Sequence, residues 1–248
     1  MSKSKAYIIG ASIGITFTAM LLIAAVVCGY VMKPTAKSCQ SIEFIIKDAE
    51  ERMYVSEREL SQLLIKHGIH PATQPVDSIG LYQIEYVIQN HPMVKTAECY
   101  ITPHNEVKVE LTQRVPLIRV QTPGETYLID TDRRKMPMRK AIKDNVLVVT
   151  GTVGEQLAAS QLADFAIWLQ DSKYWREKIK YIHMKTPQMM LIYLHGDNQP
   201  HIMMGQVQEY ERKLSKLRTF FEKGQNAVGE KMYYEIDVRF DGQVIGRY

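Results

Sequence analysis

Histidine and cysteine are the side chains of this protein that are best suited to bind a metal. Of the seven histidines, the closest pairs are His67 with His70 and His195 with His201. Neither pair has the one-face spacing, with a carboxylate or thiolate in support, that a zinc site requires. The sequence therefore predicts no metal site.

Motifs for catalysis are equally weak. Ser2-Lys-Ser-Lys5 has the Ser-x-x-Lys spacing of penicillin-binding enzymes, but it lies in a short basic tail and no Lys-Thr-Gly accompanies it. The sequence contains no His-Glu-x-x-His, no Cys-x-x-Cys and no glycine loop that would cradle a phosphate. The alternative of a membrane-anchored hydrolase of the envelope would need a nucleophile and a base, which these motifs do not supply. We therefore predict that the protein is not an enzyme and that its function is binding.

A long apolar segment without any charged residue extends from Ala6 to Met32. Roughly 20 apolar residues are enough to cross the bilayer. The apolar region of a cleaved signal peptide is shorter, at about 7 to 15 residues. We therefore predict a single transmembrane helix over 6–32, with a cytoplasmic tail over 1–5 and a connector over 33–40.

The charges that flank this segment set its expected orientation. Lys3, Lys5 and the free amine precede it, and Lys33 and Lys37 follow it, so the positive charge that marks a cytoplasmic side favours the N-terminus by a margin of one charge. We predict a cytoplasmic N-terminus and an exported remainder.

The composition of the exported part argues against nucleic acid as a partner. The chain has 31 Lys and Arg against 27 Asp and Glu, and leaving out Lys3 and Lys5 gives 29 against 27. Cys39 and Cys99 could form one disulfide, although two free thiols are the favoured prediction. The sequence has no Asn-x-Ser/Thr acceptor for glycosylation, and a bacterial envelope fits these features.

The pattern of residues 41–114 predicts the order strand, helix, helix, strand, strand. Ser56 and Glu59 form a capping box, in which Ser56 caps the first helix and Glu59 reaches back to its start. Gly68 ends that helix, and Pro92 ends the second one. Apolar residues at helical spacing are expected to pack the two helices on the sheet, and they include Leu60, Leu64, Ile84 and Ile88.

Residues 115–248 predict a second domain with a mixed sheet and two helices. The helices are expected over 156–170 and 207–223, where apolar residues recur three and four apart. A basic cluster is expected to be a solvated loop, with contact to anionic lipid or to an acidic partner as the alternative. Its residues are Arg133, Arg134, Lys135, Arg139 and Lys140. The strands predicted before the C-terminus are 117–120, 126–129, 146–149, 179–184, 189–195 and 201–204.

A terminal hairpin is the candidate site for a partner. Alternating apolar residues lead to Asp241-Gly242, a favoured two-residue turn, and a returning strand follows over 243–247. An edge strand offers unpaired backbone groups that a strand from another chain can complete. The alternative is that the hairpin merely closes the sheet of its own domain. The side chains predicted to contact the partner are Arg239, Phe240, Gln243, Val244 and Ile245.

Several short motifs follow one another along the chain. They are Asn90-His-Pro-Met-Val-Lys-Thr-Ala97, Arg114-Val-Pro116, Tyr127-Leu-Ile-Asp130, Thr150-Gly151, Lys213-Leu214 and Asp237-Val-Arg-Phe240. Their order resembles the FtsQ/DivIB family of bacterial cell-division proteins, in which a POTRA domain precedes a β domain. Two departures from the family pattern are the absence of Gly-Asn at the end of the first strand and Gln113 in place of an acidic residue.

This resemblance implies an α+β fold with one N-terminal transmembrane helix, a POTRA-like βααββ domain over 41–114 and an FtsQ-type β domain over 115–248. It implies a non-enzymatic scaffold without a cofactor, which lies at the septum in the bacterial inner membrane with its domains in the periplasm and links early and late division proteins. An FtsB/FtsL-like complex would bind the terminal edge strand, and other division proteins would bind the transmembrane helix and the POTRA-like domain.

A different binding function is a POTRA-type periplasmic adaptor in protein secretion or outer-membrane assembly. Such a factor is expected to continue into a transmembrane barrel built from alternating strands of about ten residues. No such pattern is seen in the sequence.

Overall fold

The computed structural model describes residues 18–26, 37–72, 74–140, 142, 146–223 and 233–248. The described residues form two compact units: the smaller contains those within 1–42, 71–79 and 101–107, and the larger contains those within 43–70, 80–100 and 108–248.

The predicted transmembrane segment falls mostly outside the described residues. Residues 18–26 are helical, whereas 6–17 and 27–32, like the predicted tail over 1–5, are not described. Within the described ranges, no helix has both the length and the apolar character needed to cross a membrane.

In the smaller unit, the end of the predicted connector is held by backbone hydrogen bonds. The Cys39 N–H donates to the Gln74 carbonyl over 2.8 Å, and the Val76 N–H donates to the Lys37 carbonyl over 2.9 Å. The Cys39 side chain is buried and is a free thiol. The connector is therefore fixed from residue 37 onward.

The predicted βααββ order of the POTRA-like domain is confirmed. Its three strands form a sheet in the order β1-β3-β2. Helix α1 begins after Ser56, whose hydroxyl accepts the Glu59 N–H, and it ends before Gly68, which adopts a φ of +72°. The elements are β1 (Ile42–Ile46), α1 (Glu57–Lys66), a 3-10 turn (Val76–Ser78), α2 (Leu81–Gln89), β2 (Val94–Ile101) and β3 (Val107–Gln113).

The helices of this domain bury the faces that the sequence predicts. Leu60 and Leu64 of α1 are fully buried, as are Ile84 and Ile88 of α2. Alternate residues of β3 are buried as well, which is the pattern of a strand with one covered face. Helix packing on one side of the sheet thus produces the core of the domain.

The C-terminal domain contains a nine-stranded mixed sheet in the order β12-β11-β10-β9-β8-β7-β4-β5-β6. Its strands are β4 (Pro116–Gln121), β5 (Thr126–Asp130), β6 (Lys135–Pro137), β7 (Leu147–Gly151), β8 (Ile179–Thr186), β9 (Met189–Leu194), β10 (His201–Gly205), β11 (Glu235–Asp237) and β12 (Ile245–Arg247). Its helices are α3 (Ala163–Asp171), which follows a short α-helical segment (Glu155–Leu157) and a π-helical turn (Ala158–Leu162), then α4 (Lys173–Lys178) and α5 (Tyr210–Lys223).

One face of this sheet is covered by α3 and α5. Phe165 of α3 and Leu214 and Leu217 of α5 join the same buried cluster as Ile192 and Ile236 of the strands. The predicted apolar stripe of α5 is therefore core packing. The helix starts at Tyr210 and not at 207, because Glu209 adopts a left-handed φ of +52° that a helix cannot contain.

Two short elements were not expected from the sequence. The basic cluster is largely exposed, as predicted, but it is not entirely a loop. The cluster contains β6, whose Met136 is fully buried. Lys135 forms ion pairs with Glu125 and Glu155, at 2.9 and 3.3 Å. Helix α4 is the other element that was not expected, and its buried residue is Trp175. Nearby acids and one apolar residue are enough to order the cluster.

Candidate functional site

Strand β12 lies at one end of the nine-stranded sheet. Its inner neighbour, β11, pairs with β10 in parallel and with β12 antiparallel. Across the described parts of the chain, no strand pairs with the outer side of β12. The terminal strand therefore has one side on which backbone groups can meet another chain.

The hydrogen bonds of β11 define which backbone groups of β12 face outward. The Val238 N–H donates to the Met203 carbonyl over 3.1 Å, and the Tyr234 carbonyl accepts the His201 N–H over 3.2 Å. Ile236, which lies between them in β11, therefore directs its backbone groups to β10, whereas the Tyr234 N–H just before the strand donates to the Arg247 carbonyl of β12 over 3.0 Å. Because successive residues in a strand alternate in direction, the odd-numbered residues of β11 face β12.

In the β11–β12 pair, Glu235 lies opposite Arg247 and Asp237 lies opposite Ile245. The N–H and C=O groups of Ile245 and Arg247 consequently face β11. Those of Gly246 face outward, away from the sheet. Gly246 is thus the central backbone contact that the edge offers.

The terminal hairpin is confirmed, but the predicted two-residue turn is wrong. Asp237 pairs with Ile245, so a loop over 238–244, which we name the terminal loop, connects the two strands. The Asp237 carboxylate accepts hydrogen bonds from the Arg239 N–H over 3.1 Å and from the Arg239 guanidinium over 2.6 Å at the start of this loop. Gly242 keeps a positive φ inside this loop.

The predicted partner residues fall into two groups. Arg239, Phe240, Gln243 and Val244 lie in the terminal loop, and only Ile245 lies in β12. Val244 packs against the hydrophobic core, whereas Phe240 is 48% exposed and Ile245 is 39% exposed. Loop and strand together therefore form the candidate surface.

Exposed apolar side chains concentrate near this edge. Phe240 and Ile245 are joined by Tyr234 and Tyr248, which are also exposed. Single exposed apolar residues are normal on a protein surface, but a group of them often marks an interaction site. These four exposed side chains lie within the last fifteen residues, the part of the chain that also contains the unpaired strand edge.

Ion pairs neutralise the acidic residues at this end of the sheet. Burial raises the pKa of Asp237, but hydrogen bonds from Arg239 outweigh it and hold that pKa below its ordinary value. Glu235 contacts His201 at 3.0 Å and Arg247 at 2.7 Å. The strands β10, β11 and β12 are thus linked by side chains as well as by their backbones.

Gly246 is required by the packing of Tyr233. A Cβ at Gly246 would overlap the Tyr233 ring, so any other residue would displace that ring. Tyr233 in turn stacks on Tyr248 with ring centroids 4.5 Å apart, and the two hydroxyls are 2.9 Å apart. The glycine lets an aromatic pair pack beside the edge.

A second polar cluster, which the sequence did not reveal, joins the POTRA-like domain to the C-terminal domain. The prediction that Glu59 reaches back to cap α1 is wrong. Its two carboxylate oxygens accept hydrogen bonds from both Arg139 guanidinium nitrogens, at 2.8 and 2.9 Å, and from His91 Nε2 at 3.2 Å. Arg139 also donates to the Tyr54 carbonyl over 3.2 Å. The partner of Glu59 lies 80 residues away, beyond any local pattern.

The pKa values of this cluster follow from its geometry. Hydrogen bonds from Arg139, with those from His91, hold the pKa of Glu59 below its ordinary value despite partial burial. Burial lowers the pKa of His91, against the opposing effect of Glu59. His91 Nδ1 accepts the Met93 N–H over 3.3 Å, so Nε2 carries the proton that it donates to Glu59.

Gln113 performs a structural role where an acidic residue was expected from the family pattern. Its side-chain oxygen accepts the Tyr54 and Val55 N–H groups, at 2.6 and 3.2 Å. Its amide nitrogen donates to the Arg52 carbonyl over 2.7 Å. A neutral amide can donate and accept together, which a carboxylate cannot do.

The described residues include no group of three metal-ligating side chains, and their free thiols are Cys39 and Cys99. Burial raises the pKa of Cys99 to about 12, so this thiol is a poor nucleophile. The pentapeptide 10–14 has the Gly-x-Ser-x-Gly spacing of a hydrolase nucleophile, but it falls in the apolar segment and outside the described residues.

These features define the class of the protein: a two-domain α+β protein that presents a sheet edge. The chain belongs to the FtsQ/DivIB family. Residues 115–247 match the family model described as FtsQ/DivIB, C-terminal related, and residues 37–112 match the model of a POTRA-like domain. The family comprises non-enzymatic division proteins. None of the curated proteins compared with the chain matches it.

Proposed function

We propose that this protein is a membrane-anchored scaffold of the bacterial divisome. It binds an FtsB/FtsL-like complex through β12 and the terminal loop and thereby links early and late division proteins at the septum. The observation that carries the proposal is the outward-facing edge of β12, bordered by exposed apolar side chains, in a chain of the FtsQ/DivIB family.

The binding step is the addition of one strand to the sheet. A partner strand pairs with the outward N–H and C=O of Gly246, and its side chains meet Ile245 on one face. Backbone hydrogen bonds give affinity in such complexes, and alternate side chains give specificity. Arg239, Phe240, Gln243 and Val244 contact the partner from the terminal loop.

The proposed location rests on the sequence. The apolar segment 6–32 anchors the protein in the inner membrane, with the N-terminus in the cytoplasm and the two domains in the periplasm. Other division proteins bind the transmembrane helix and the POTRA-like domain. Periplasmic and cytoplasmic reporters fused after Tyr248 test this topology, and activity of only the cytoplasmic reporter would contradict it.

A matched pair of substitutions tests the edge. Ile245 in β12 and Ile167 in α3 are both 39% exposed, so Ile245→Lys and Ile167→Lys place the same charge on equally accessible positions. Charged side chains on an edge strand oppose pairing with a further strand. We expect Ile245→Lys to weaken capture of the purified FtsB/FtsL-like complex at least about tenfold, and Ile167→Lys to leave it unchanged.

If the two variants bind that complex equally well while retaining the wild-type melting temperature, β12 is not the partner site. Depletion in cells tests the role itself. Filamentous cells with uncut septa support division, whereas loss of outer-membrane proteins would support the adaptor function instead. Altered cell-wall fragments would indicate a hydrolase.

A further inference from the structure

The terminal loop is fastened to α5 by basic side chains of that helix. Lys216 Nζ donates to the Val238 carbonyl over 3.2 Å and to the Phe240 carbonyl as well. One turn earlier, Arg212 contacts the Asp241 carboxylate at 2.6 Å. Both ends of the segment from 238 to 241 are therefore tied to the helix.

A neighbouring lysine holds the turn against which the terminal loop packs. Lys213 Nζ donates to the carbonyls of Met204 and Gln206, over 3.0 and 3.2 Å. Gly205, between these two residues, adopts a positive φ. The Arg239 side chain lies 3.1 Å from the position that a Cβ atom on Gly205 would take. The terminal loop thus rests on a turn that α5 also fixes.

Apolar side chains of α5 pack the helix on the sheet. Leu214 and Leu217 are fully buried in the core and already fix the helix. Lys216 instead gives up part of its hydration, and burial lowers its pKa. A partly buried ammonium group needs hydrogen bonds to offset its lost hydration, and Lys216 makes these bonds to carbonyls of the terminal loop. Its hydrogen bonds therefore stabilise the conformation of that loop.

We infer that Lys216 is a positioning residue for partner binding, which sets the conformation of the terminal loop before a partner arrives. This inference rests on the proposed function of the loop and edge. Ordering a mobile loop during association reduces affinity, so a loop that is already fixed binds more tightly with no additional contact. Lys216 therefore acts on the partner through Val238 and Phe240, without touching it.

Three variants of the full-length protein test this inference. Lys216→Met keeps the length of the side chain and removes its hydrogen bonds. Lys216→Arg restores a cationic donor. Arg218→Met is the control, because it removes an exposed cation from the same helix whose contacts are with Glu222 and the Tyr174 ring. Each variant is examined by amide hydrogen exchange, by thermal unfolding and by capture of the FtsB/FtsL-like complex.

We expect Lys216→Met to speed amide exchange in residues 238–244 about tenfold and to weaken capture by a similar factor, since a hydrogen bond from a charged donor is lost. The rest of the chain should exchange as in the wild type. Lys216→Arg should restore most of both effects, and Arg218→Met should change neither.

Unchanged exchange in residues 238–244 of Lys216→Met would overturn the inference. Faster exchange there with wild-type capture would also overturn it, because loop order would then be irrelevant to binding. If the wild-type protein does not capture the complex at all, the proposed function fails. The exchange measurement still decides whether Lys216 positions the loop.

Discussion

The buried ion pair between Arg114 and Asp130 provides the sharpest test of how the two domains are joined. Arg114 follows β3 of the POTRA-like domain, and its guanidinium donates to the Asp130 carboxylate at the end of β5 over 2.7 Å. Asp130 is fully buried and also accepts the Arg134 N–H over 2.7 Å. Arg114→Met keeps an apolar stem of similar length but leaves the buried carboxylate without its cation.

Removing one partner of a buried ion pair costs about 3 to 5 kcal/mol, because the remaining charge stays desolvated. In a protein of this size, each kcal/mol lowers the melting temperature by about 2 to 4 °C. We therefore expect Arg114→Met to melt about 6 to 20 °C below the wild type. Scanning calorimetry at pH 7 measures this shift.

A second variant separates loss of the pair from loss of packing. Asp130→Asn in the Arg114→Met background removes the orphaned charge while it keeps a side-chain oxygen for the Arg134 N–H. The double variant should therefore be more stable than Arg114→Met alone. A shift of less than about 2 °C for Arg114→Met, or a double variant that is less stable still, would refute the reasoning that the pair is desolvated.

Three further predictions concern the POTRA-like domain. Leu64→Ala should lower the free energy of unfolding by about 2 to 5 kcal/mol through lost burial and a residual cavity, and an unchanged melting temperature would contradict the core position of α1. Glu59→Gln should lower the free energy of unfolding by about 1 to 2 kcal/mol at pH 7, because the lowered pKa of Glu59 keeps its carboxylate ionised and stabilising there. The difference in stability between this variant and the wild type should vanish as the pH falls through that pKa. Urea titrations at pH 7 and pH 3 measure both differences. Burial lowers the pKa of His91 from 6.5, so His91 binds a proton more readily in the unfolded chain than in the folded one, and stability should fall as the pH drops below about 6.5. His91→Gln should remove part of this loss of stability. A melting temperature with the same pH profile in the variant and the wild type would contradict this prediction.

Periodic apolar residues were sufficient to predict the larger elements. Each of these elements buries one side: an apolar stripe in α1, α2 and α5, and alternate residues in β3. One-sided burial produces a periodic pattern of apolar residues, which predicts the element from its own sequence. Strand β6 and helix α4 carry too few residues for such a pattern. They form because Met136 and Trp175 are buried by other parts of the chain, which no local window contains.

The errors in the terminal hairpin and the capping box share a physical cause. Asp241-Gly242 has the local preference for a tight turn, but the bonds of Asp237 to Arg239 and of Val238 to β10 widen the loop. Ser56 caps α1 as its local signal predicts. Glu59 instead pairs with the Arg139 guanidinium, which is itself charged and donates one hydrogen bond to each carboxylate oxygen.

The ion pairs and the exposed edge divide two tasks between separate parts of the molecule. Arg114–Asp130, Arg139–Glu59 and Lys95–Asp132 connect the POTRA-like domain to the C-terminal domain. None of these residues belongs to β12 or the terminal loop. At the other end of the nine-stranded sheet, β12 keeps one side unpaired in the described chain, and the loop beside it is held by α5. Substitutions at the domain junction should therefore change stability more than partner capture, and substitutions at the edge should do the reverse.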